Sequence, residues 1–277
     1  MCTTCFFCAR PVRCSTPIAA TDHASIGHAT SRDLRNWTLG PEALAQAAGP
    51  SWDDMAIWTG SVVQAPDGDW RLFYTGRSRG DGGRVQRIGT ARSHDLVAWR
   101  REGPVLKADP RWYEKLDSGA WPEEAWRDPY VVADPEGDGW HMLVTARAPD
   151  GPAGGRGVIG HARSADLRTW EIGPSLTAPS GFGHMEVPRV ATIDGRHVLM
   201  FSCWPDRLDD ARRARWTGGG LWVAPGASLL GPWDLVTATT LDHPSLYGAS
   251  FVEHEGRWYV LGFRDSAIPI RAIRRAS

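Results

Sequence analysis

No run of eighteen apolar residues occurs anywhere in the chain, which excludes a membrane-spanning helix. Neither sign of charge dominates. The 277 residues carry 31 basic and 32 acidic side chains, so neither nucleic acid nor a membrane surface is expected as a partner. The first twenty residues lack the apolar stretch of a signal peptide, since Phe6-Phe7 sits among cysteines and Arg10, and the chain as it stands is expected to be cytoplasmic. No acidic residue stands before Asp22. Metal chemistry has little support: Cys2, Cys5, Cys8 and Cys14 show the C-x2-C spacing that suits zinc, but no second pair or His cluster completes a site. Residues 1–23 are therefore expected to form an irregular leader, within which Thr4 to Cys8 would supply a second strand to the first unit, with no metal or cofactor, and Cys203 reads as a small core residue.

What the chain does have is one phrase written three times. Ile26-Gly27-His28-Ala29-Thr30-Ser31-Arg32-Asp33-Leu34-Arg35-Asn36-Trp37 returns from Ile88 to Trp99 and again from Ile159 to Trp170, and a degraded copy runs from Leu221 to Trp233. Repeats decide the fold before residue chemistry does. Each phrase except the first follows a short apolar run, an acidic or Gly turn and a second apolar run, as in Ser61-Val62-Val63, Asp67-Gly68 and Trp70-Arg71-Leu72-Phe73-Tyr74. The same grammar recurs around Asp134 to Gly139, Asp194-Gly195 and Glu255-Gly256. Asp-Gly between β-prone runs is a hairpin signal, so each unit reads as strand, turn, strand and then the phrase as a third strand with its exit. Asp33, Asp95 and Asp166 are placed to bond the backbone of that exit turn, with the Trp four residues later packing between units. Four-stranded units arranged radially make an all-β propeller.

The length suits one radial domain, expected over residues 24–265 with a tail at 266–277, and 15 Trp suit both the seams between sheets and a sugar site. Two motifs are decoys. Gly155 to Gly160 spells G-x-G-x-x-G but leads into a repeated strand and not a helix, and Asp134 to Gly139 looks like a calcium loop but occupies a place that is an acidic turn in every unit.

The first strand of each propeller unit lines the central channel, so its side chains converge on one pocket. These starts are Trp58-Thr59-Gly60-Ser61, Trp126-Arg127-Asp128-Pro129, His184-Met185-Glu186-Val187-Pro188 and Leu246-Tyr247-Gly248-Ala249-Ser250. Asp128, Arg127 and Glu186 break the apolar grammar there, and such breaks mark functional positions. Facing carboxylates in a Trp-lined cleft are what glycosidic cleavage requires; the alternative is an Arg127 to Glu186 salt bridge that plugs the channel.

Taken in order, Trp58-Thr59-Gly60-Ser61, Arg127-Asp128-Pro129, the Glu186-Val187-Pro188 segment and the Gly-His-Ala-Thr-Ser phrase resemble glycoside hydrolase family 32, the β-fructosidases, over roughly residues 24 to 265. The resemblance implies a five-bladed β-propeller with incomplete first and last blades, acting on a β-fructoside of the sucrose, levan or inulin type. It implies Glu186 as general acid, its carboxyl raised by an apolar channel and by Asp128. It implies Asp128 with Arg127 as the pair gripping fructose, and Trp58, Thr59, Gly60 and Ser61 as a wall of the fructosyl subsite, to which Trp126 and Tyr247 are added as substrate-binding candidates from their places at the unit starts. Val187 stands where the family usually has Cys. Families 43 and 68 share the propeller and a similar acidic triad. The family's nucleophile is an Asp on the first strand of the first blade, and Asp22, five residues before Gly27, does not match its setting. A chain with acid and stabiliser but no attacking carboxylate is expected to be inactive, and the alternative function is a non-catalytic, sugar-binding or scaffold propeller.

Overall fold

The computed structural model describes residues 3–9, 22–117, 121–216, 218–241, 246–264 and 271–273. They form five antiparallel sheets in sequence order. Sheet I holds β1 (Thr3–Ala9), β2 (Ser25–Ser31) and β3 (Trp37–Leu39). Sheet II holds β4 (Ala56–Gln64), β5 (Trp70–Arg77), β6 (Arg87–Ser93) and β7 (Arg100–Lys107). Sheet III holds β8 (Trp126–Ala133), β9 (Trp140–Arg147), β10 (Gly157–Ser164) and β11 (Glu171–Gly173). Sheet IV holds β12 (Glu186–Ile193), β13 (Arg196–Ser202), β14 (Leu221–Gly226) and β15 (Thr239–Thr240). Sheet V holds β16 (Leu246–His254), β17 (Arg257–Arg264) and β18 (Arg271–Ile273). The fold is the all-β propeller that the repeats imply, with three strands among the described residues in each of its first and last sheets.

Local chemistry explains each unit. Asp194-Gly195 and Glu255-Gly256 close two-residue hairpins with positive φ at both central residues, the geometry that matches strand twist. The repeated phrase exits through an Asp-capped turn: Asp33, Asp95 and Asp166 each accept from the N–H groups two and three residues on, at 2.8–2.9 Å, and the following Leu34, Leu96 and Leu167 take positive φ. Those same N–H groups hold the three carboxyls below their ordinary range. The Trp of the phrase then crosses to its neighbour, Trp170 of sheet III meeting Phe73 of sheet II edge-on at 5.4 Å.

The core is a series of seams. Ile26 packs with Ile57, Leu72 and Tyr74 between sheets I and II, Phe73 and Ile88 with Trp126 and Met142 between II and III, Leu143 and Ile159 with Phe201 and Trp222 between III and IV, and Met200 with Leu246 between IV and V. Each large side chain buried in a seam contributes about 1.5–3 kcal/mol. The strands that start sheets II to V touch one another in order, β4 on β8, β8 on β12 and β12 on β16, which places them around the axis.

The strand expected at Thr4 to Cys8 forms: Thr3–Ala9 pairs along its length with Ser25–Ser31 and takes the second-strand place of sheet I, so the leader is not irregular throughout. Within the expected tail, Arg271–Ile273 pairs with Val260 to Gly262. In both cases a strand edge of unpaired N–H and C=O groups takes the available segment. Apart from Asp22 and His23, the rest of the leader and tail, including Cys2 and Cys14, lies outside the described residues, as do the side chains of Cys5 and Cys8. No helix of the described residues is long and apolar enough to cross a membrane.

Candidate active site

Every first strand from sheet II to sheet V carries a β-bulge near its start, between Trp58 and Gly60, Arg127 and Tyr130, Glu186 and Arg189, and Tyr247 and Ser250. A bulge re-aims the side chains beside it. Arg127, Glu186 and Tyr247 hold equivalent places in β8, β12 and β16, each the last paired residue before the bulge. Equivalence in register becomes contact in space: Arg127 Nη2 donates to Glu186 Oε1, and the Tyr247 hydroxyl donates to Glu186 Oε2. The residue one further on lies in the bulge with positive φ, namely Asp128, Val187 and Gly248.

The second strand of each sheet holds the bulge of the next. Thr75, Thr145 and Ser202 lie opposite Trp58, Arg127 and Glu186, and all three are fully buried. Thr75 Oγ1 accepts from Asp128 N at 2.8 Å, and Ser202 Oγ accepts from Gly248 N at 3.0 Å. Between sheets III and IV the Asp128 carboxylate occupies this joint: its Oδ2 accepts from Thr145 Oγ1 at 2.8 Å and from Val187 N at 3.1 Å, while its Oδ1 accepts from Thr59 Oγ1. Left-handed backbone is tolerable for Asp and Gly but costly for a β-branched residue, so the bond from Val187 N to Asp128 is part of what holds that bulge.

Arg127 is the centre of charge. Its Nη1 donates to Gln86 Oε1 and Glu123 Oε1, both at 3.0 Å, and its Nη2 to His184 Nδ1 at 2.9 Å as well as to Glu186. Nε lies 3.6 Å from Asp128 Oδ2. Burial disfavours the cation, but Glu123, Glu186 and Asp128 raise its pKa further still. Burial likewise pushes the Glu186 carboxyl up, yet the Arg127 guanidinium first, then His184 and last the Tyr247 hydroxyl outweigh it and hold Glu186 well below the usual carboxylate range. This reverses the sequence expectation of a raised acid: the channel is not apolar around Glu186, and the Arg127 to Glu186 salt bridge weighed as the alternative does form. The Glu186 side chain nevertheless keeps 24% of its surface open to solvent, against 4% for Arg127, so the pair leaves the acid accessible.

The other candidate residues divide. Thr59 reaches Asp128, and Tyr247 reaches Glu186 while stacking on Trp204 at 4.8 Å and 9°. Trp58 is half-buried beneath the Arg77 guanidinium, 4.3 Å from its ring centre, and Arg77 is paired with Asp22 at 2.6 Å. Gly60 and Ser61 frame the axis through other partners: Gly60 O accepts from Arg189 Nη2 at 3.0 Å, and Ser61 Oγ from Val131 N at 3.1 Å. A side chain at Gly60 would collide with Phe73 O, so glycine there is a steric requirement. Trp126 is not a binding residue: it is 0% exposed and packs on Tyr113 at 4.7 Å in the seam between sheets II and III. Sequence reasoning missed Gln86, Glu123 and Thr145, which lie on or beside elements other than the first strands, and gave His184 no role of its own. Trp121, edge-on to His184 at 4.8 Å with Arg147 over its ring at 3.9 Å, was also missed. Among the described residues no group of His, Cys, Asp and Glu is arranged to hold a metal ion.

An arginine, two carboxylates and a tyrosine are thus brought together from three consecutive first strands of the propeller. The chain belongs to the glycosyl hydrolases of family 32, whose N-terminal domain model matches residues 15–266. It is 31% identical over 257 residues to a sucrose-6-phosphate hydrolase from Escherichia coli, a match covering 86% of this chain and 48% of that protein. Among solved structures it resembles an inulosucrase from Halalkalicoccus jeotgali bound to kestose (TM-score 0.75, 23% identity, covering 95% of this chain and 71% of that one). It also resembles a GH32 beta-fructofuranosidase from Bombyx mori (TM-score 0.71, 22% identity, covering 97% and 53%). The chain spans about half the length of the E. coli relative.

Proposed function

We propose that the chain carries the site of a β-fructoside hydrolase. The observation that carries this reading is the convergence of Arg127, Asp128, Glu186 and Tyr247 at one end of adjacent first strands in a family 32 propeller. Glu186 serves as general acid to the leaving oxygen, while Arg127 and Asp128 take the fructosyl hydroxyls. Because Arg127 keeps Glu186 ionised in the free protein, the acid must gain a proton and loosen from Arg127 as substrate enters. A retaining route also needs an attacking carboxylate about 5 Å from the acid. No described carboxylate of sheet I bonds to the site, and Asp22 is committed to Arg77. We assign the role to a carboxylate on a strand pairing with β1, which among the described residues lies at the end of its sheet.

The names of the relatives, a sucrose-6-phosphate hydrolase and a beta-fructofuranosidase, support a sucrose-type substrate. The test is fructose release from sucrose, inulin and levan by the chain with and without an added N-terminal strand bearing an Asp. Release should require the added Asp. In the active form, Glu186→Gln should abolish turnover of sucrose and spare a fructosyl substrate whose leaving group needs no proton. Release that survives both changes would refute the assignment. A second reading, a sugar-binding propeller without turnover, is favoured by the ionised state of Glu186; it requires fructose binding by calorimetry with no release even after the Asp is supplied.

A further inference from the structure

Arg127 has five N–H groups, and four of them are engaged by four different side chains: Gln86, Glu123, His184 and Glu186. Only the last of these must let go for the chemistry. The other three come from separate segments. Gln86 precedes β6 in sheet II, Glu123 precedes β8 in sheet III and His184 precedes β12 in sheet IV. The first two segments are tied together by backbone bonds, Glu124 N to Arg84 O at 2.8 Å and Gln86 N to Glu124 O at 3.3 Å. Gln86 is fully buried and His184 is 5% exposed, so neither is a solvated surface group passing by.

The chemistry of the His184 contact fixes its form. A guanidinium only donates, so Nδ1 must accept and the proton must sit on Nε2. A neutral Nδ1 offers no proton to Glu186 Oε1, 3.3 Å away, and that approach is not a hydrogen bond. The charged groups facing His184 are Arg127, Glu186 and Glu123; burial first and then Arg127 lower its pKa, in agreement with a neutral ring.

We propose that His184, with Gln86 and Glu123, forms a positioning clamp that keeps the Arg127 guanidinium in place when Glu186 releases it to serve the leaving group. A guanidinium held only by Glu186 would recover its rotamer freedom at the moment it is needed as a fixed donor. With three of four bonds left, it does not. The clamp rests on the fructosidase reading for what Arg127 grips, but its geometry is testable without sugar.

Two measurements decide it. Without ligand, long-range 1H–15N spectra should show His184, assigned by loss of its signal in His184→Asn, as the Nε2–H tautomer at pH 7 in both the wild-type chain and Glu186→Gln. The Nε–Hε signal of Arg127 should keep its linewidth in Glu186→Gln and broaden in Glu186→Gln/His184→Leu. An Nδ1–H or charged ring, or an Arg127 signal indifferent to His184→Leu, would overturn the clamp. With D-fructose as probe, Glu186→Gln/His184→Leu should bind at least tenfold more weakly than Glu186→Gln. Glu186→Gln/His184→Asn, whose amide oxygen replaces the Nδ1 acceptor, should bind within about threefold of Glu186→Gln. Equal binding by the Leu and Asn variants overturns the clamp. If no form binds fructose, the fructosidase reading fails, and the spectra alone decide the clamp.

Discussion

Removing the Tyr247 hydroxyl should raise the acid strength threshold of the site in a calculable way. That hydroxyl donates to Glu186 Oε2, and burial together with Glu186 pushes its own pKa well above the usual phenol value, so it stays a donor at any working pH. A hydrogen bond to a charged group contributes about 1.5–3 kcal/mol, and one pKa unit corresponds to about 1.4 kcal/mol. Arg127 remains in place in Tyr247→Phe, and Glu186 is a quarter exposed, so the low end of the range applies and the Glu186 carboxyl should rise by about one unit. The assay is 13C NMR of labelled glutamate side chains across the acid range, with Glu186 assigned from Glu186→Gln. The stability consequence has a definite sign. The folded-state value of Glu186 lies below the unfolded one, so its contribution is present above about pH 4.3 and is lost as pH falls through the folded value. Tyr247→Phe narrows that window, and it should flatten the acid limb of a urea-denaturation profile. In an active form, the basic limb of kcat/KM should move up by the same unit. An unchanged Glu186 titration in Tyr247→Phe would refute the claim that the tyrosine helps set the acid.

Arg127→Ala should weaken fructose binding at least tenfold while Arg92→Ala, whose partner is Asp69 on the outer part of sheet II, should leave it unchanged; equal affinities by calorimetry would sink the assignment of the pocket. Arg127→Ala should also destabilise the fold by about 1.5–3 kcal/mol, because partly exposed Glu123 and Glu186 lose their hydrogen bonds to a shared cation. Thr145→Val removes the donor to Asp128 Oδ2 at nearly constant volume, so a loss of about 1–3 kcal/mol in urea melts is expected, with no change if the joint between sheets III and IV carries no energy. Burial, then His141 and Arg163, lower the His161 pKa to about 4. The unfolded chain therefore binds the extra proton between about pH 4 and pH 6.5, and stability should rise with pH across that window. His161→Gln should reduce this slope, and an identical slope would refute it.

Much of the architecture was legible because it is local. An Asp that bonds N–H groups two and three residues ahead needs no tertiary context, and so Asp33, Asp95 and Asp166 announced three turns before any sheet was known. Arg127, Asp128 and Glu186 were legible for a different reason, since charged residues in strands that should be apolar stand out against the repeat, and Tyr247 was legible only from its place at a unit start. What failed depends on relations between sheets. Trp126 adjoins Arg127 in sequence, but it faces the seam and not the channel, and nothing in the alternation marks where the bulge begins to re-aim side chains. The acidity of Glu186 was inverted because it is set by an arginine 59 residues earlier, whose reach follows from how sheet III sits on sheet IV. Gln86 and Glu123 lie before strands, in segments whose approach to Arg127 no periodicity records.

The hydroxyl joints between sheets give the row a direction. Thr75, Thr145 and Ser202 each occupy one sheet and hold, or help hold, the bend of the following one, never the preceding one, so the arrangement is head-to-tail. In sheet V the equivalent place, opposite Tyr247, is Phe263, which carries no hydroxyl and instead meets Tyr247 ring to ring at 5.9 Å. Loss of Thr75 should thus disturb Asp128, and through Asp128 the Val187 bend beside Glu186, whereas loss of Ser202 should leave Asp128 seated and reach Glu186 only through Gly248 and its neighbour Tyr247. The site is in this sense a queue, in which each bend stands where the one before it allows.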